Sequence, residues 1–229
     1  IFPYNGASAD PIKFNEMEIR YPLAYRYLKE NEDRIKENVQ CREGVMWHTF
    51  TREHNQSMYD VDKIIIPMTA KDTIATYISN RGLYMDNANV WFITIPNADS
   101  KIMKAITCVI NSTVFSVLGK AGANPQTGEY YKFNKQFLTP IPFPSVKLTA
   151  DSGAVLYLSS IFDEITELQD RYLVATQNQK EVFTRALKEK WSDLDEVCFN
   201  LYEVTDVEKA QIQAIGRTIS RIDLLNGAE

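Results

Sequence analysis

Two stretches of the chain place hydrogen-bonding amides beside cations and aromatic rings. In the first, Arg52 precedes Asn55 and Gln56. In the second, Lys120, Lys132 and Lys135 bracket Asn124, Gln126, Tyr130 and Tyr131. An amide side chain offers a donor and an acceptor together, which complements the edge of an adenine. Lysine and arginine neutralise phosphates without reading sequence. A tyrosine ring can stack on a base or wedge between two bases. Together these residue types can recognise nucleic acid. A structural reading of the tyrosines stands beside this one, with one ring packed in the core and the other holding the loop.

Patterns for bond-making chemistry are absent. The chain has no G-x-S-x-G, no G-x-G-x-x-G and no phosphate-binding loop. Gly119-Lys120 lacks both the upstream glycine and the following Ser or Thr. No catalytic residue is expected. His48 and His54 are the only histidines and have no partners at metal-ligand spacing. His48, between Trp47 and Phe50, reads as a hydrogen-bonded structural histidine, and Trp47 and Phe50 read as core. Cys41, Cys108 and Cys198 are far apart and odd in number, which argues against a disulfide framework. A reducing, cytoplasmic setting is expected. No run of roughly 18 apolar residues could cross a membrane. The opening Ile1-Phe2-Pro3-Tyr4 reads as the start of a segment cut from a longer polypeptide.

The net charge of −5 runs against a nucleic-acid partner, but it is unevenly spread. Residues 1–150 carry +2 and residues 151–229 carry −7. Within 101–147, six lysines face a single acid, Glu129. Screening limits the reach of a charge to about 10 Å, so a local basic patch matters more than the total.

These residues need elements to position them. Tyr21-Pro22 opens a helix predicted to reach Val39, supported by opposite charges four apart at Arg26/Glu30, Glu30/Arg34 and Glu32/Lys36. Residues 1–19 read as irregular. Three short β-branched or aromatic runs, 45–50, 62–67 and 89–95, read as strands. Lys63-Ile64-Ile65-Ile66-Pro67 is apolar enough to be buried on both faces. Asp99-Ser100 caps a helix whose apolar positions run from Ile102 to Val117. Ala121 to Lys132 reads as a long polar loop, and Pro140, Pro142 and Pro144 as an extended exit. From Ser152 the pattern is helical, with a seam at Leu158, Ile161, Ile165, Leu168 and Tyr172. Ser192-x-x-Asp195 and Thr205-x-x-Glu208 look like capping boxes that start two shorter helices. The expected fold is α+β: a mixed-sheet recognition domain at 1–148, followed by a helical region at 149–229.

Four local patterns occur in a fixed order. Tyr21-Pro22 with Tyr25 and Tyr27-Leu28 comes first. Trp47-His48-Thr49-Phe50-Thr51-Arg52 follows, leading to Lys63-Ile64-Ile65-Ile66-Pro67. Val109-Ile110-Asn111-Ser112 is third. Gly128-Glu129-Tyr130-Tyr131-Lys132-Phe133 is fourth, closing on Pro140-Ile141-Pro142. This order resembles the C-terminal specificity region of adenine-specific DNA methyltransferases, including the type IIG restriction enzymes. The segment Leu194-Asp195-Glu196-Val197 with Leu201-Tyr202 is similar to the end of that region. Lys132 stands where arginine is usual, so a point charge replaces a planar fork. Ile110 stands where leucine is usual.

The resemblance implies a target-recognition module for double-stranded DNA, joined to an upstream methyltransferase domain of the same polypeptide. S-adenosylmethionine would be bound upstream, as would magnesium if a nuclease is fused. The Asn/Asp-Pro-Pro-aromatic loop that holds a flipped adenine is missing, since Asn124-Pro125 is followed by Gln126. The competing expectation, from another class, is a scaffolding module that docks a partner subunit through its acidic helical half.

Overall fold

The computed structural model describes residues 1–6, 8–38, 45–50, 60–79, 83, 89–150 and 152–226. The candidate contacts Arg52, Asn55 and Gln56 lie outside the described residues, as do Cys41 and His54. The fold is α+β, with small antiparallel sheets and a helical C-terminal region. The chain divides into two compact units, 1–61 with 80–87, and 62–79 with 88–229.

In the first unit, β1 (Tyr4–Asn5) pairs antiparallel with β2 (Asp10–Pro11). Three helices follow, α1 (Phe14–Arg20), α2 (Pro22–Glu30) and α3 (Glu32–Asn38). The segment 1–19 is therefore not irregular throughout. The helix predicted over 22–39 breaks at Asn31, whose side chain donates to the Tyr27 carbonyl at 2.8 Å and closes α2. Ile12, Met17 and Leu28 form a small core, with Phe14, Tyr25, Ile35 and Trp47 packed on it. His48 is buried, its Nε2 2.8 Å from the Ile12 carbonyl oxygen. The strand expected at 45–50 is a turn, in which Met46 O accepts from both the backbone and the hydroxyl of Thr49. Phe50 is 40% exposed and is not a core residue.

In the second unit, β3 (Lys63–Pro67) is the middle strand of a three-stranded sheet. It pairs antiparallel with β5 (Thr76–Ile78) and with β6 (Val90–Ile93). A central strand needs apolar side chains on both faces, which accounts for its unbroken Ile64-Ile65-Ile66 run. Past Met68 the chain enters β4 (Thr69–Ala70). There it joins a second small sheet, of order β4-β8-β7, with β8 at Tyr131–Lys132 and β7 at Asn124–Pro125. Met68 links the two sheets: its N–H donates to Asn89 O and its carbonyl accepts from Phe133 N, both at 2.8 Å.

Helix α4 (Ser100–Asn111) starts where Asp99 accepts from Lys101 N at 2.7 Å. The apolar run continues, but the helix does not. Ser112 takes an extended conformation and caps α5 (Thr113–Gly122), accepting from Phe115 N. The two helices bend by 63° at this point. No single helix among the described residues is long and apolar enough to cross a membrane. Two short helices, α6 (Lys135–Leu138) and α7 (Ser145–Ala150), lead to α8 (Ser152–Leu173). Leu158, Ile161, Ile165 and Tyr172 of its predicted seam are buried, with Leu168 partly so.

Helix α9 (Gln177–Leu201) runs unbroken through Ser192 and Asp195, so no cap lies there. Its N-terminal box is Thr176 with Gln179. The box at Thr205 and Glu208 does start a helix, α10 (Asp206–Ile215). Helices α4, α8 and α9 share one core with β3, including Ile64, Val109, Leu158, Leu187 and Leu194. The change of period near 150 therefore marks a change of element type inside one packing unit. The boundary between compact units falls instead at 61/62 and around the 80–87 excursion.

Candidate nucleic-acid interface

The stretch 121–132 is a hairpin more than a loop. Helix α5 extends to Gly122, and β7 then pairs with β8 in the register Asn124↔Lys132 and Pro125↔Tyr131. Gln126 N donates to Tyr130 O at 2.7 Å and closes the tip. At the tip, Gly128 has φ +75° and Glu129 has φ +64°. A Cβ at Gly128 would add left-handed strain, so Gly128→Ala is expected to cost about 1 kcal/mol. Urea unfolding measures this, and an unchanged midpoint would mean that the tip is not built this way.

Alternation along β8 sorts the side chains. Tyr131 faces the same side as Phe133, and their rings stack with centroids 6.2 Å apart. Phe133 is fully buried, so the half-buried Tyr131 lies on the packing side of β8, away from Lys132. Asn124, Lys132 and Thr69 are register partners and share the opposite side. Tyr130, two residues from Lys132, falls on that side, and the Lys71 ammonium lies 5.3 Å from its ring centroid. Gln126 is exposed, with Nε2 3.0 Å from Pro125 O. One face thus carries Lys71, Asn124, Tyr130 and Lys132, with Gln126 beside the tip. Glu129 is exposed at the tip itself. Lys71 was missed in the sequence because it is far from the hairpin in the chain and only β4 brings it there.

The predicted basic patch divides. Lys120 is not available to a phosphate. It forms an ion pair with Asp72, donates to Thr218 Oγ1 at 2.8 Å, and its side chain is only 12% exposed. Lys104 pairs with Asp163 at 2.7 Å, and Lys147 with Glu203 at 2.5 Å. Acids from the helical half thus neutralise part of the basic stretch. Lys132 and Lys135, with Lys101, have no carboxylate partner among the described residues. Lys135 is exposed at the start of α6.

A buried polar joint fixes the hairpin to the helices. Asp72, fully buried, accepts from Ser116 Oγ at 2.9 Å and from the backbone N–H of Thr218 and Ile219 at 3.2 and 2.9 Å. Burial opposes its ionisation, but Lys120, Arg217 and the Ile219 amide outweigh that and hold the carboxyl below the usual range. Asn111 serves the neighbouring segment like a strand, accepting from Ala75 N at 2.9 Å and donating to Ala75 O at 2.7 Å. Asp195 accepts from Thr113 N and Thr113 Oγ1 at 2.7 and 2.8 Å, and Arg221 chelates it at 3.0 and 3.1 Å. Gly119 lets α5 lie against this segment, since a Cβ there would meet Thr73 Cγ2 at 2.9 Å. Several residues that carry the resemblance, among them Asn111, Ser112, Phe133 and Asp195, therefore build the support for the hairpin and do not themselves face out from it.

Such a face suits a duplex. Within this three-stranded sheet, the β7–β8 pair continuing into the tip is the two-stranded part, the form that a major groove about 12 Å wide admits. Lys71 and Lys132 supply point charges, Tyr130 an aromatic edge, and Asn124 and Gln126 paired donors and acceptors. Among the described residues, no group of three or more His, Cys, Asp or Glu side chains could hold a metal ion. No protein-family model matches the chain, and no curated protein matches it.

Proposed function

We propose that the chain is the sequence-specific DNA-recognition module of a restriction-modification N6-adenine DNA methyltransferase. On this reading, methyl transfer belongs to an upstream domain of the same polypeptide, which holds S-adenosylmethionine. A fused nuclease, where there is one, would bring magnesium. The setting is cytoplasmic and the partner is double-stranded DNA. The observation that carries the reading is the hairpin face that gathers Lys71, Asn124, Tyr130 and Lys132 onto one side of a rigidly anchored ribbon. The alternative docking role for 149–229 rests on an acidic excess, and part of that excess is engaged internally by Lys104 and Lys147 from outside the region.

The test is the salt dependence of binding by the full polypeptide to a fluorescent random-sequence duplex. Each phosphate contact contributes about one unit to the slope of log K against log salt. Lys71→Ala, Lys132→Ala and Lys135→Ala should each flatten the slope by about one unit. Lys104→Ala and Lys147→Ala, at internally paired lysines, should leave it unchanged. Absence of binding at low salt, or equal effects at all five positions, would remove the hairpin as the interface.

A further inference from the structure

The tip of the hairpin carries a charge of the wrong sign for a phosphate backbone. Glu129 is the single acid of residues 101–147, and it closes the short turn Thr127–Glu129 between β7 and β8. It is exposed, and among the described residues its side chain has neither an ion pair nor a hydrogen bond. Its backbone is left-handed at φ +64°, directly after Gly128 at φ +75°. Successive left-handed residues in a hairpin turn are ordinarily Asn, Asp or Gly. Glutamate has a steric cost there that glycine avoids. Strain kept at such a position points to a use for the side chain.

The tip is also braced. The Tyr130 ring lies against it, its Cδ2 3.7 Å from where a Cβ on Gly128 would stand. The Lys71 ammonium is 5.3 Å from the centroid of the same ring. Glu129 is therefore presented by an ordered turn next to the face that carries Lys71, Asn124, Tyr130 and Lys132.

A carboxylate that approaches DNA with those lysines meets phosphates that repel it, and only a hydrogen-bond donor compensates. The base edges of the major groove offer two, the N4 amine of cytosine and the N6 amine of adenine. Adenine sets the acceptor N7 beside its amine, whereas an ionised carboxylate has only acceptors to offer. Cytosine presents its amine with no acceptor beside it on its own edge. Guanine O6 and N7 and thymine O4 are acceptors and repel a carboxylate. A single contact can thus attract one base and reject the others.

Resting on the DNA-recognition reading above, we propose that Glu129 is a specificity-determining residue whose carboxylate accepts a hydrogen bond from the N4 amine of one cytosine in the target site. The position it reads is separate from those assigned to Asn124 and Gln126.

The experiment selects sites from a random duplex library with the full polypeptide, as parent, Glu129→Gly and Glu129→Gln. Glycine takes the left-handed turn without strain, so Glu129→Gly keeps the hairpin, and a urea midpoint no lower than the parent's confirms this. The parent site should contain a cytosine whose preference relaxes by about five- to 150-fold in Glu129→Gly. In Glu129→Gln the same position should turn toward adenine, because an amide matches its donor and acceptor. A second arm places pyrimidin-2-one, a cytosine without the N4 amine, at that position. It should weaken parent binding by about tenfold or more, the loss of one hydrogen bond to a charged group, and weaken Glu129→Gly far less. Should Glu129→Gly not fold, Glu129→Gln decides. Tighter binding of the variants to every sequence, with the enriched site unaltered, would show a carboxylate that only repels phosphate and would overturn the proposal. Equal binding of the parent to cytosine and pyrimidin-2-one would overturn it too. A parent that enriches no site would overturn the DNA-recognition reading itself, and this proposal with it.

Discussion

Replacing Asp72 with alanine is expected to cost about 3–5 kcal/mol of stability, the range for breaking one partner out of a buried ion pair. Asp72 is fully buried and ties its own segment to α5, through Ser116 and Lys120, and to the chain after α10, through Thr218 and Ile219. Its loss strands the Lys120 ammonium, leaves two backbone N–H groups without an acceptor, and removes the larger of the two carboxylate influences on Arg217. Typical domains are stable by only about 5–15 kcal/mol, so the variant should lie close to unfolding. Asp72→Asn keeps the shape but not the charge and should fall between the two. The pH dependence follows from the same carboxyl. Its pKa is lower in the folded protein than in the unfolded chain, so its stabilisation is complete above the ordinary carboxylate value of about 3.9. It is lost as pH falls from there through the folded pKa. Urea unfolding at neutral pH and at several acidic values measures both. A loss under about 1 kcal/mol for Asp72→Ala would show that the joint is not what holds 69–75 to α5.

The joint also shows which features the sequence could not disclose. Signals that act within a few residues were legible. Asp99 and Thr205 cap the helices that follow them, β3 is the buried strand its apolar run indicates, and the α8 seam faces the core. Signals completed across the chain were not. Lys120 looked like a phosphate ligand because its partners, Asp72 and Thr218, are far away in sequence. Asp195 looked like part of a cap because it follows Ser192 at the right interval. Its actual partners, Thr113 and Arg221, lie on other segments, and α9 runs straight through it. The bend at Ser112 was hidden by an apolar pattern that continues on both sides of it. At the hairpin, composition singled out Asn124, Gln126, Tyr130 and Lys132 as candidates, but only the pairing of β8 with β4 brings Lys71 over Tyr130, and only strand alternation puts Tyr131 on the side of Phe133.

Anchoring of this kind makes the hairpin separable from its support, and this leads to the second large effect. Asn124 and Gln126 are exposed and Gln126 lies beside the tip; apart from the exposed Gln126 Nε2 bond to Pro125 O, the hydrogen bonds that close the hairpin come from backbone groups. Asn124→Ala and Gln126→Ala should therefore leave the urea midpoint close to that of the parent protein. Their effect should fall on DNA. A good bidentate pair between an amide and adenine is worth about 1–3 kcal/mol of discrimination, so each variant should relax preference at one base position by about five- to 150-fold. Selection from a random duplex library with the full polypeptide reads this directly. The expected outcome is that one position of the enriched site becomes degenerate in each variant, and a different position in the two. Lys132→Ala supplies the contrast, since losing a phosphate contact weakens all sequences alike and leaves the enriched site the same. An enriched site that is unchanged in both amide variants would exclude the hairpin as the reader of sequence, even if its lysines still set the salt dependence.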